Sequence, residues 1–392
     1  MGRAALAVSG FFFYGTLCHA PLRRVVLGRD AKLFAARLPG FAVSWAEGRA
    51  HALVQPENGA TAEGGLLADA TEGEAALLEY YGAVIGHEPH EVTVETEAGP
   101  VTAVAWFPSR ERWQAGPAWR LADWAGRFGA VVTATAEEVM RGFGARDPGG
   151  MALRYPMMLI RGGARVRARA GTGAGGSVLR RHASPGDVVT SRVEEVYSNY
   201  FAVEEFDLRF RRFDGEMSPE VDRAVFISGD AAVVLPYDPV RDRVLLIEQF
   251  RMGAYARGDS QPWLLEAVAG RVDGGETPEE AAVREAREEA GLELQALIPA
   301  RHYYPSPAAK GEYLYSYVGI ADLPDAAAGL GGLPSETEDI RAHVVTFERF
   351  QQLVESGEAN TAPLVILAEW LARNRPRLRA DAKAREVAPR GA

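Results

Sequence analysis

The sequence predicts two domains, an α+β domain followed by an α/β sandwich. The chain has 392 residues, 47% of them hydrophobic, and a single core stops growing near ~250–300 residues. A glycine-rich composition shift separates two strand-forming halves after residue 161. In the second half, strands precede and follow a strongly signalled helix that begins at Pro278, the order expected of an α/β sandwich.

The first domain is predicted to span residues 1–161. Its strands are expected at Phe11–Tyr14, Leu38–Ala42, Ala50–Val54, Val92–Glu97 and Val101–Phe107, with a helical stretch over Trp119–Met140. Residues 162–187 are predicted to form a linker because they contain Gly162, Gly163 and the run Gly171–Gly176. That run is not followed by the Lys-Ser/Thr pair of a phosphate-binding loop.

The second domain is predicted over residues 188–380. Before the central helix, strands are expected at Val188–Tyr197, Phe201–Phe213, Ala224–Ile227, Ala231–Tyr237 and Val244–Phe250. After it, strands are expected at Leu294–Tyr304, Tyr313–Ile320 and Arg341–Phe347, and helices at Glu348–Ser356 and Thr361–Asn374. The charged residues 381–392 are predicted to be a frayed tail.

Composition and charge limit the partners and the compartment. A net charge of −10 argues against nucleic acid as the main partner, although a cation with arginines can still create a local phosphate site. Cys18 is the only cysteine, so a reducing compartment is expected. The residues after Arg3 resemble a signal peptide, but the aromatic run at Phe11–Phe13 better fits a buried strand. Because no stretch approaches ~18 uncharged apolar residues, we expect a soluble cytoplasmic protein without a membrane partner.

The central helix of the second domain has clear start and stop signals. The glycine-rich loop Gly270–Gly275 runs directly into it. Thr277 and Glu280 have the spacing of a capping box, and Pro278 occupies the first helical position, where its missing N–H costs nothing. Gly291 is placed to end the helix.

Three carboxylates are predicted on one face of this helix. Glu285, Glu288 and Glu289 are at positions i, i+3 and i+4. One interpretation is a solvated acidic face that Arg284 and Arg287 partly neutralise. The opposite face is made of small apolar residues that can pack against a sheet, which favours a second interpretation, a divalent-cation site. Oxygen ligands favour Mg²⁺ over Zn²⁺, with Mn²⁺ as the alternative.

The spacing of these residues resembles the Nudix box. Gly270 is followed after five residues by Glu276 and after seven more by Arg284–Leu292, so every polar position of the pattern is filled. Ala286 is the one departure, because a larger aliphatic residue is usual there. The resemblance implies a Nudix α/β/α sandwich that catalyses attack of water on a nucleoside diphosphate linked to another group.

The Nudix resemblance also assigns roles to the residues of the box. Arg284 is implied to be a catalytic residue that, with Glu276, orients the metal ligands. The implied ligands of Mg²⁺ are the Ala269 carbonyl and the carboxylates of Glu285, Glu288 and Glu289. Glu336 is implied to be the catalytic base, carried on a loop that moves on substrate binding, with Glu338 as the alternative.

Residues ~188–375 are similar to the ADP-ribose pyrophosphatase subfamily of Nudix hydrolases. Pro307 lies 15 residues beyond Leu292, and Glu312 stands at the glutamate of that subfamily's Ser-Pro-Gly-Gly-x-x-Glu pattern, although Ala308-Ala309 replace the glycines. The resemblance implies that ADP-ribose is cleaved to AMP and ribose 5-phosphate. GDP-mannose is the alternative nucleotide sugar.

The subfamily resemblance implies a set of substrate-binding residues and a homodimer. Arg251 is expected to pair with a phosphate, and Tyr200, Phe201 or Tyr255 is expected to stack on adenine. The expected substrate-binding residues are Arg223, Arg251, Glu266, Tyr200, Phe201, Pro307 and Glu312. The first strands of the domain are expected to exchange between two chains, so that Arg223 completes the partner's nucleotide pocket.

The end of the first strand carries a second resemblance. Tyr14-Gly15-Thr16-Leu17 resembles the signature of the gamma-glutamyl cyclotransferase-like fold, a small barrel, over residues ~10–110. The glycine-containing turn is expected to form a pocket whose backbone N–H groups hold a carboxylate. Tyr81 occupies the position of that family's catalytic glutamate, and Glu79 is two residues away. The domain is therefore expected to be a binding or assembly module. The alternatives are a cyclotransferase with a regulatory Nudix part and a non-catalytic protective protein.

Overall fold

A computed structural model describes residues 10–108, 113–171, 179–332 and 338–387. The chain divides into two compact units. The first ends at Ser184 and also includes Tyr197–Phe201, and the second contains the remaining residues from Pro185 onward. Within the described ranges, no helix combines the length and the apolar character needed to cross a bilayer.

The first unit is built on a closed five-stranded barrel. Its strands are β1 (Phe11–Phe13), β2 (Phe34–Ala46), β3 (Ala52–Leu67), β4 (His87–Thr96) and β5 (Gly99–Pro108). They pair in the order β3-β1-β5-β4-β2, and the pairing of β2 with β3 closes the barrel. A short strand β6 (Ala115–Ala118) adds to β2. The predicted small barrel is therefore confirmed.

Two strands of the barrel are longer than predicted. β2 has 13 residues and β3 has 16, where the sequence predicted two short segments. The predicted strand Leu38–Ala42 contains Pro39 and Gly40, and the structure places a register shift between Pro39 and Phe41, with pairing on both sides of it. A bulge of this kind bends a strand without ending it, which helps a small sheet to close.

In the described part of the first unit, five helices cover the barrel. They are α1 (Ala20–Leu27), α2 (Glu72–Val84), α3 (Leu121–Trp124), α4 (Ala130–Arg141) and α5 (Pro148–Ala170). A 3₁₀ turn spans Thr16–Cys18, and a π-helical segment, Ala125–Gly129, joins α3 to α4. One apolar core fills the barrel around Phe12 and Val94. A second core lies between the barrel and the helices around Trp124 and Tyr81.

The start of the predicted linker is wrong, because residues 162–170 are the last turns of α5. Gly162 lies against α4, and a Cβ atom added to it would be 2.3 Å from Thr135 Oγ1. The neighbouring Arg161 is fully buried and pairs with Glu138 of α4 at 2.6 Å. Glycine here allows two helices to approach closely, a function that composition does not distinguish from flexibility. Residues 172–178 lie outside the described ranges.

The second unit contains two sheets. Its strands are β7 (Val188–Ser198), β8 (Ala202–Phe210), β9 (Val221–Ile227), β10 (Ala231–Asp238), β11 (Arg243–Phe250), β12 (Trp263–Glu266), β13 (Val268–Arg271), β14 (Ala296–Tyr303), β15 (Lys310–Gly311), β16 (Leu314–Ile320), β17 (Gly329–Gly331) and β18 (Ile340–Thr346). The larger sheet runs β14-β16-β10-β11-β18-β17, with β12 on β11 and β13 on β10. The smaller sheet has the order β15-β9-β8-β7. The sequence missed only short strands such as β12 and β13, which are too brief to show periodicity.

Helices cover both faces of the larger sheet, as predicted for an α/β/α sandwich. The described helices of this unit are α6 (Met252–Arg257), α7 (Pro278–Ala290), α8 (Phe347–Ser356) and α9 (Ala362–Val387), of which α7, α8 and α9 pack on the sheet. A 3₁₀ turn spans Asp325–Ala327. The small side chains of α7 pack on one face beside Val234 and Ile247. The apolar sides of α8 and α9 pack on the other face beside Val233 and Leu246.

The predicted frayed tail is wrong for residues 381–387, because α9 continues to Val387. Pro376 stands inside this helix, and Asp242 pairs with an arginine on each side of it. Arg375 Nε donates to Asp242 Oδ1 at 2.8 Å, and Arg379 also donates to the same carboxylate. These ion pairs hold the helix past the proline. Residues 388–392 lie outside the described ranges.

Replacement of Gly162 by alanine is expected to destabilise the first unit by about 1–3 kcal/mol, because the new methyl group would clash with α4. Gly163→Ala is the matched control. Its Cβ would meet only the flexible end of Arg167, at 3.3 Å, and alanine favours a helix over glycine by about 0.5–1 kcal/mol. Urea unfolding measures both free energies. Equal stability of the two variants would contradict the close packing at Gly162.

Candidate active site

The predicted start and stop of helix α7 are both confirmed. Thr277 Oγ1 accepts a hydrogen bond from the Glu280 N–H at 3.1 Å, and the Glu280 carboxylate accepts one from the Thr277 N–H at 2.8 Å. Gly291 ends the helix with φ of 63°, in the left-handed region that favours glycine. This local chemistry fixes which residues of the helix face strand β13.

Gly270 of β13 makes room for the Glu285 carboxylate of α7. A Cβ atom added at Gly270 would lie 1.8 Å from Glu285 Oε1 and 2.1 Å from its Cδ, distances that real atoms do not adopt. The glycine therefore allows a charged side chain to lie directly over the strand. Sequence reasoning identified Gly270 by its spacing but did not identify this physical role.

The Glu289 carboxylate is the most buried of the three on α7, at 3% exposure. Its Oε2 accepts a hydrogen bond from the Ala269 N–H at 3.1 Å. Burial raises the pKa of Glu289 to about 8 and that of Glu285 to about 7, and the negative charge of Glu338 contributes to both increases. Carboxylates with such pKa values lack sufficient positive charge around them.

Arg284 ties the acidic side chains together. Its guanidinium donates to Glu285 at 2.7 Å, to Glu288 at 2.9 Å and to Glu276 at 3.0 Å. It also donates to the Arg271 carbonyl at 3.0 Å. One arginine thus links the loop, the strand and two of the three clustered carboxylates, and its fixed planar fork sets their orientation.

The cluster fits a hard divalent cation. Glu285, Glu288 and Glu289 supply oxygen donors, and two of them are held with raised pKa values that a bound cation would lower. The carbonyl of Ala269 is the fourth expected ligand. The N–H of the same residue donates a hydrogen bond to Glu289. These residues belong to α7 and β13, and the three carboxylates do not each bring an oxygen within 4.8 Å of the other two.

Glycines after strand β16 border the same cluster. A Cβ on Gly331 would lie 2.3 Å from the Glu289 carbonyl oxygen, and one on Gly332 would lie 2.9 Å from the Glu338 Cβ. Gly332 also has φ of 93°. The charge of Glu338 acts on Glu285 and Glu289, so this predicted alternative base lies near them. The predicted base, Glu336, lies outside the described ranges.

Arg251 and Glu266, both predicted to bind substrate, pair with each other at 2.6 Å. The positive charge of Arg251 also lowers the pKa of Glu289, although burial dominates there. Arg251 follows β11 and Glu266 ends β12, which is hydrogen-bonded to β11. The sheet therefore brings a guanidinium towards the acidic cluster, and the carboxylate of Glu266 restricts its position.

The other predicted substrate residues lie at separate places. Glu312 accepts a hydrogen bond from Ser228 at 2.8 Å and pairs with Lys310 at 2.8 Å. Pro307 is exposed, and the exposed Arg223 of β9 donates to the Asp222 carbonyl at 2.6 Å. Tyr200 and Phe201, predicted to stack on adenine, lie in the connection between β7 and β8 and group with the first unit.

The predicted pocket residues of the first unit, Tyr14, Gly15, Thr16 and Leu17, line one cavity together with Tyr81. Tyr14 Oη donates to the Trp106 carbonyl at 2.5 Å. Tyr81 is 1% exposed, and burial raises its pKa well above the usual value for a tyrosine. Glu79 is exposed. The position expected to hold an acid/base group is therefore occupied by a neutral phenol.

Comparison with known proteins matches both units to families. Residues 228–365 match the family model described as NUDIX domain. Residues 11–126 match the model described as gamma-glutamyl cyclotransferase, AIG2-like. The first unit thus has a gamma-glutamyl cyclotransferase-like domain.

Curated relatives match about half of the chain. The chain is 45% identical over 185 residues to an ADP-ribose pyrophosphatase of Escherichia coli K12. This alignment covers 47% of the chain and 88% of that protein. It is 36% identical over 196 residues to an ADP-ribose pyrophosphatase of Haemophilus influenzae, covering 50% and 90%. A GDP-mannose pyrophosphatase of Escherichia coli SMS-3-5 is 30% identical over 173 residues, covering 44% and 88%. The chain therefore belongs to the Nudix hydrolase family.

Proposed function

We propose that the second unit, called the Nudix unit from here on, hydrolyses the diphosphate of ADP-ribose to AMP and ribose 5-phosphate. The observation that carries this proposal is the 45% identity to an ADP-ribose pyrophosphatase, of which 88% is covered. The arrangement of Glu285, Glu288, Glu289 and Arg251 supports it, because it combines carboxylates for a cation with a guanidinium for a phosphate. The single cysteine supports a reducing compartment, and we place the enzyme in the cytoplasm.

The resident cation of this proposal is Mg²⁺, with Mn²⁺ as the alternative. Glu285, Glu288, Glu289 and the Ala269 carbonyl would hold it. When bound, such a cation neutralises diphosphate charge and lowers the pKa of a coordinated water. The raised pKa values of Glu285 and Glu289 support a cation here, because its charge would offset the cost of ionising two buried carboxylates.

The remaining steps belong to the chain's own residues. Arg284 keeps Glu285 and Glu288 oriented through its hydrogen bonds. Arg251, positioned by Glu266, would pair with the diphosphate and stabilise charge that develops on its oxygens. A carboxylate must accept a proton as water attacks phosphorus and the bridging P–O bond breaks. We assign this role to Glu336, with Glu338 as the alternative because its charge already acts on the cluster.

Substrate recognition is proposed to extend beyond the cluster. Tyr255, which is exposed on α6 close to Arg251, would stack on adenine, and the segment that contains Pro307 and Glu312 would border the ribose phosphate. Two chains would form a homodimer through this domain, in which Arg223 of one chain completes the partner's nucleotide site.

A diphosphatase acting on another nucleotide sugar is the second candidate, favoured by the 30% identity to a GDP-mannose pyrophosphatase. We expect the purified full-length protein with Mg²⁺ to cleave ADP-ribose with kcat/KM at least ~10-fold above that for GDP-mannose or NADH, a difference of about 1.4 kcal/mol in transition-state binding. Phosphate-monoester products are measured. A gamma-glutamyl dipeptide should yield no 5-oxoproline. Preference for GDP-mannose would reject the first candidate and leave the reaction class intact.

Glu289→Gln is expected to reduce activity by at least ~100-fold, because it removes a proposed metal ligand from a buried position. It should also reduce the Mg²⁺-induced rise in melting temperature, which does not depend on turnover. Glu293→Gln is the control, since this exposed glutamate follows the same helix and pairs with Arg287 instead. Full Mg²⁺ stabilisation of Glu289→Gln would remove that carboxylate from the proposed site.

Glu336→Gln is expected to lower kcat by at least ~100-fold with little change in substrate binding, because the amide keeps the shape of the side chain but cannot accept the proton. Glu338→Gln should lower kcat less. Asp339→Asn, an exposed neighbour, is the control and should retain activity. Steady-state kinetics and substrate binding measured without turnover separate the two effects. The reverse order of the two glutamine variants would transfer the base role to Glu338.

A further inference from the structure

A cavity lies on the face of the larger sheet that is opposite to α7. Leu246 and Glu248 of β11 line it together with Leu265 of β12. Leu246 packs beside α8, whereas the next residue, Ile247, packs under α7, because successive side chains of a strand point to opposite faces. The cavity volume is about 420 Å³, within the ~300–1,000 Å³ usual for small-molecule sites. The cavity is therefore separate from the carboxylates of α7 and can hold a small ligand.

Two side chains of opposite charge border this cavity without an ion pair in the described part of the chain. Arg349 is in α8, and Glu358 follows the end of that helix. Within the described ranges, the Arg349 guanidinium makes a hydrogen bond only to Gln352 Oε1, at 3.3 Å, and the Glu358 carboxylate makes none. The two groups do not pair with each other, so their charged atoms lie more than 4.0 Å apart. A ligand that carries both charges would pair with each of them.

The other charged side chains of the described lining already have partners. His343 Nε2 and Glu248 Oε2 are 2.9 Å apart, on the neighbouring strands β18 and β11. Asp259 pairs with Arg257 at 3.6 Å. The two unpaired groups at the rim are therefore the charges that a ligand has to match. A simple cation or a simple anion would match just one of them, whereas a zwitterion matches both.

The floor of the cavity is apolar. Leu246 and Leu353 are 0% and 5% exposed, and Val345 of β18 also lines the cavity. One wall is the Trp263 ring, 49% exposed, which meets Phe250 edge-on at 5.5 Å between the ring centres. Aliphatic and aromatic surface that is open to a cavity favours the burial of an apolar group. The ligand is therefore expected to carry a short hydrocarbon side chain next to its charges.

We propose that this cavity binds a free α-amino acid with an apolar side chain. The carboxylate of the amino acid pairs with the Arg349 guanidinium, whose planar fork suits two carboxylate oxygens, and the ammonium group pairs with Glu358. The hydrocarbon side chain lies against Leu246, Leu353 and Trp263. An amino acid differs in chemistry from a nucleotide sugar, so this site is independent of the hydrolysis proposed above.

L-Leucine and two analogues test the proposal on the full-length protein. Isocaproate lacks the ammonium group and isoamylamine lacks the carboxylate, while both keep the hydrocarbon. Binding is measured without nucleotide, by saturation-transfer NMR and isothermal titration calorimetry. L-Leucine is expected to bind with a Kd at least ~10-fold lower than that of either analogue, because each analogue loses a hydrogen bond to a charged group. An analogue that binds as tightly as leucine would overturn the proposal, as would the absence of saturable leucine binding.

Glu358→Gln should raise the Kd of L-leucine about 10-fold and leave that of isocaproate unchanged, because the ammonium group is the part of the ligand that meets this carboxylate. Arg349→Gln should weaken leucine and isocaproate but not isoamylamine. Glu355→Gln is the matched control, since Glu355 is exposed on the same helix but does not line the cavity. All three variants should keep the wild-type melting temperature and rate of ADP-ribose hydrolysis. Equal effects of Glu358→Gln and Glu355→Gln on leucine binding would overturn the proposal.

Discussion

The candidate active site depends on the close approach of a carboxylate to a strand. Glu285 occupies the space that a side chain at position 270 would need, because a Cβ there would lie 1.8 Å from its carboxylate. Helix α7 can therefore pack tightly on β13 while its acidic face points across the strand towards Ala269. Without this contact, Glu285 and Glu289 would not converge, and the helix would present an ordinary solvated acidic surface.

Placing the carboxylates of Glu285 and Glu289 near each other has an electrostatic cost, and the neighbouring residues offset part of it. Burial raises the pKa values of Glu285 and Glu289, and Arg284 offsets part of this cost by bonding Glu285, Glu288 and Glu276. Even with Arg284, the cluster has more negative than positive charge. Such a cluster is suited to a divalent cation. The excess of negative charge is partly offset by the guanidinium of Arg251, whose positive charge acts on Glu289 and which we propose to bind a phosphate.

The first unit has a cavity whose electrostatics differ from those of the acidic cluster of the second unit. Its cavity keeps the loop Tyr14–Leu17 and the barrel of the cyclotransferase-like fold, but the described lining is uncharged. Tyr81, at the position where the family resemblance implies an acid, is a phenol whose pKa is raised by burial. A group of this kind donates hydrogen bonds and does not exchange protons near neutral pH. The unit is thus suited to recognition of a ligand, and the chemistry is concentrated in the Nudix unit.

The sequence by itself determined the local features of this protein. Interactions between residues that are close in the sequence can be predicted from the sequence alone. They include the capping box at Thr277, the helix end at Gly291 and the spacing of Glu285, Glu288 and Glu289. The same holds for the longer strands of the larger sheet and for the Tyr14–Leu17 turn.

Only the tertiary structure decided which distant residues meet. The sequence assigned Gly162 to a linker, but the glycine lies against Thr135 in a helix pair. It predicted a frayed end where Asp242 secures α9 through Arg375 and Arg379. The contact between Gly270 and the Glu285 carboxylate likewise depends on packing between separate elements. Such contacts follow from the complete fold because no local pattern encodes the distance between two elements.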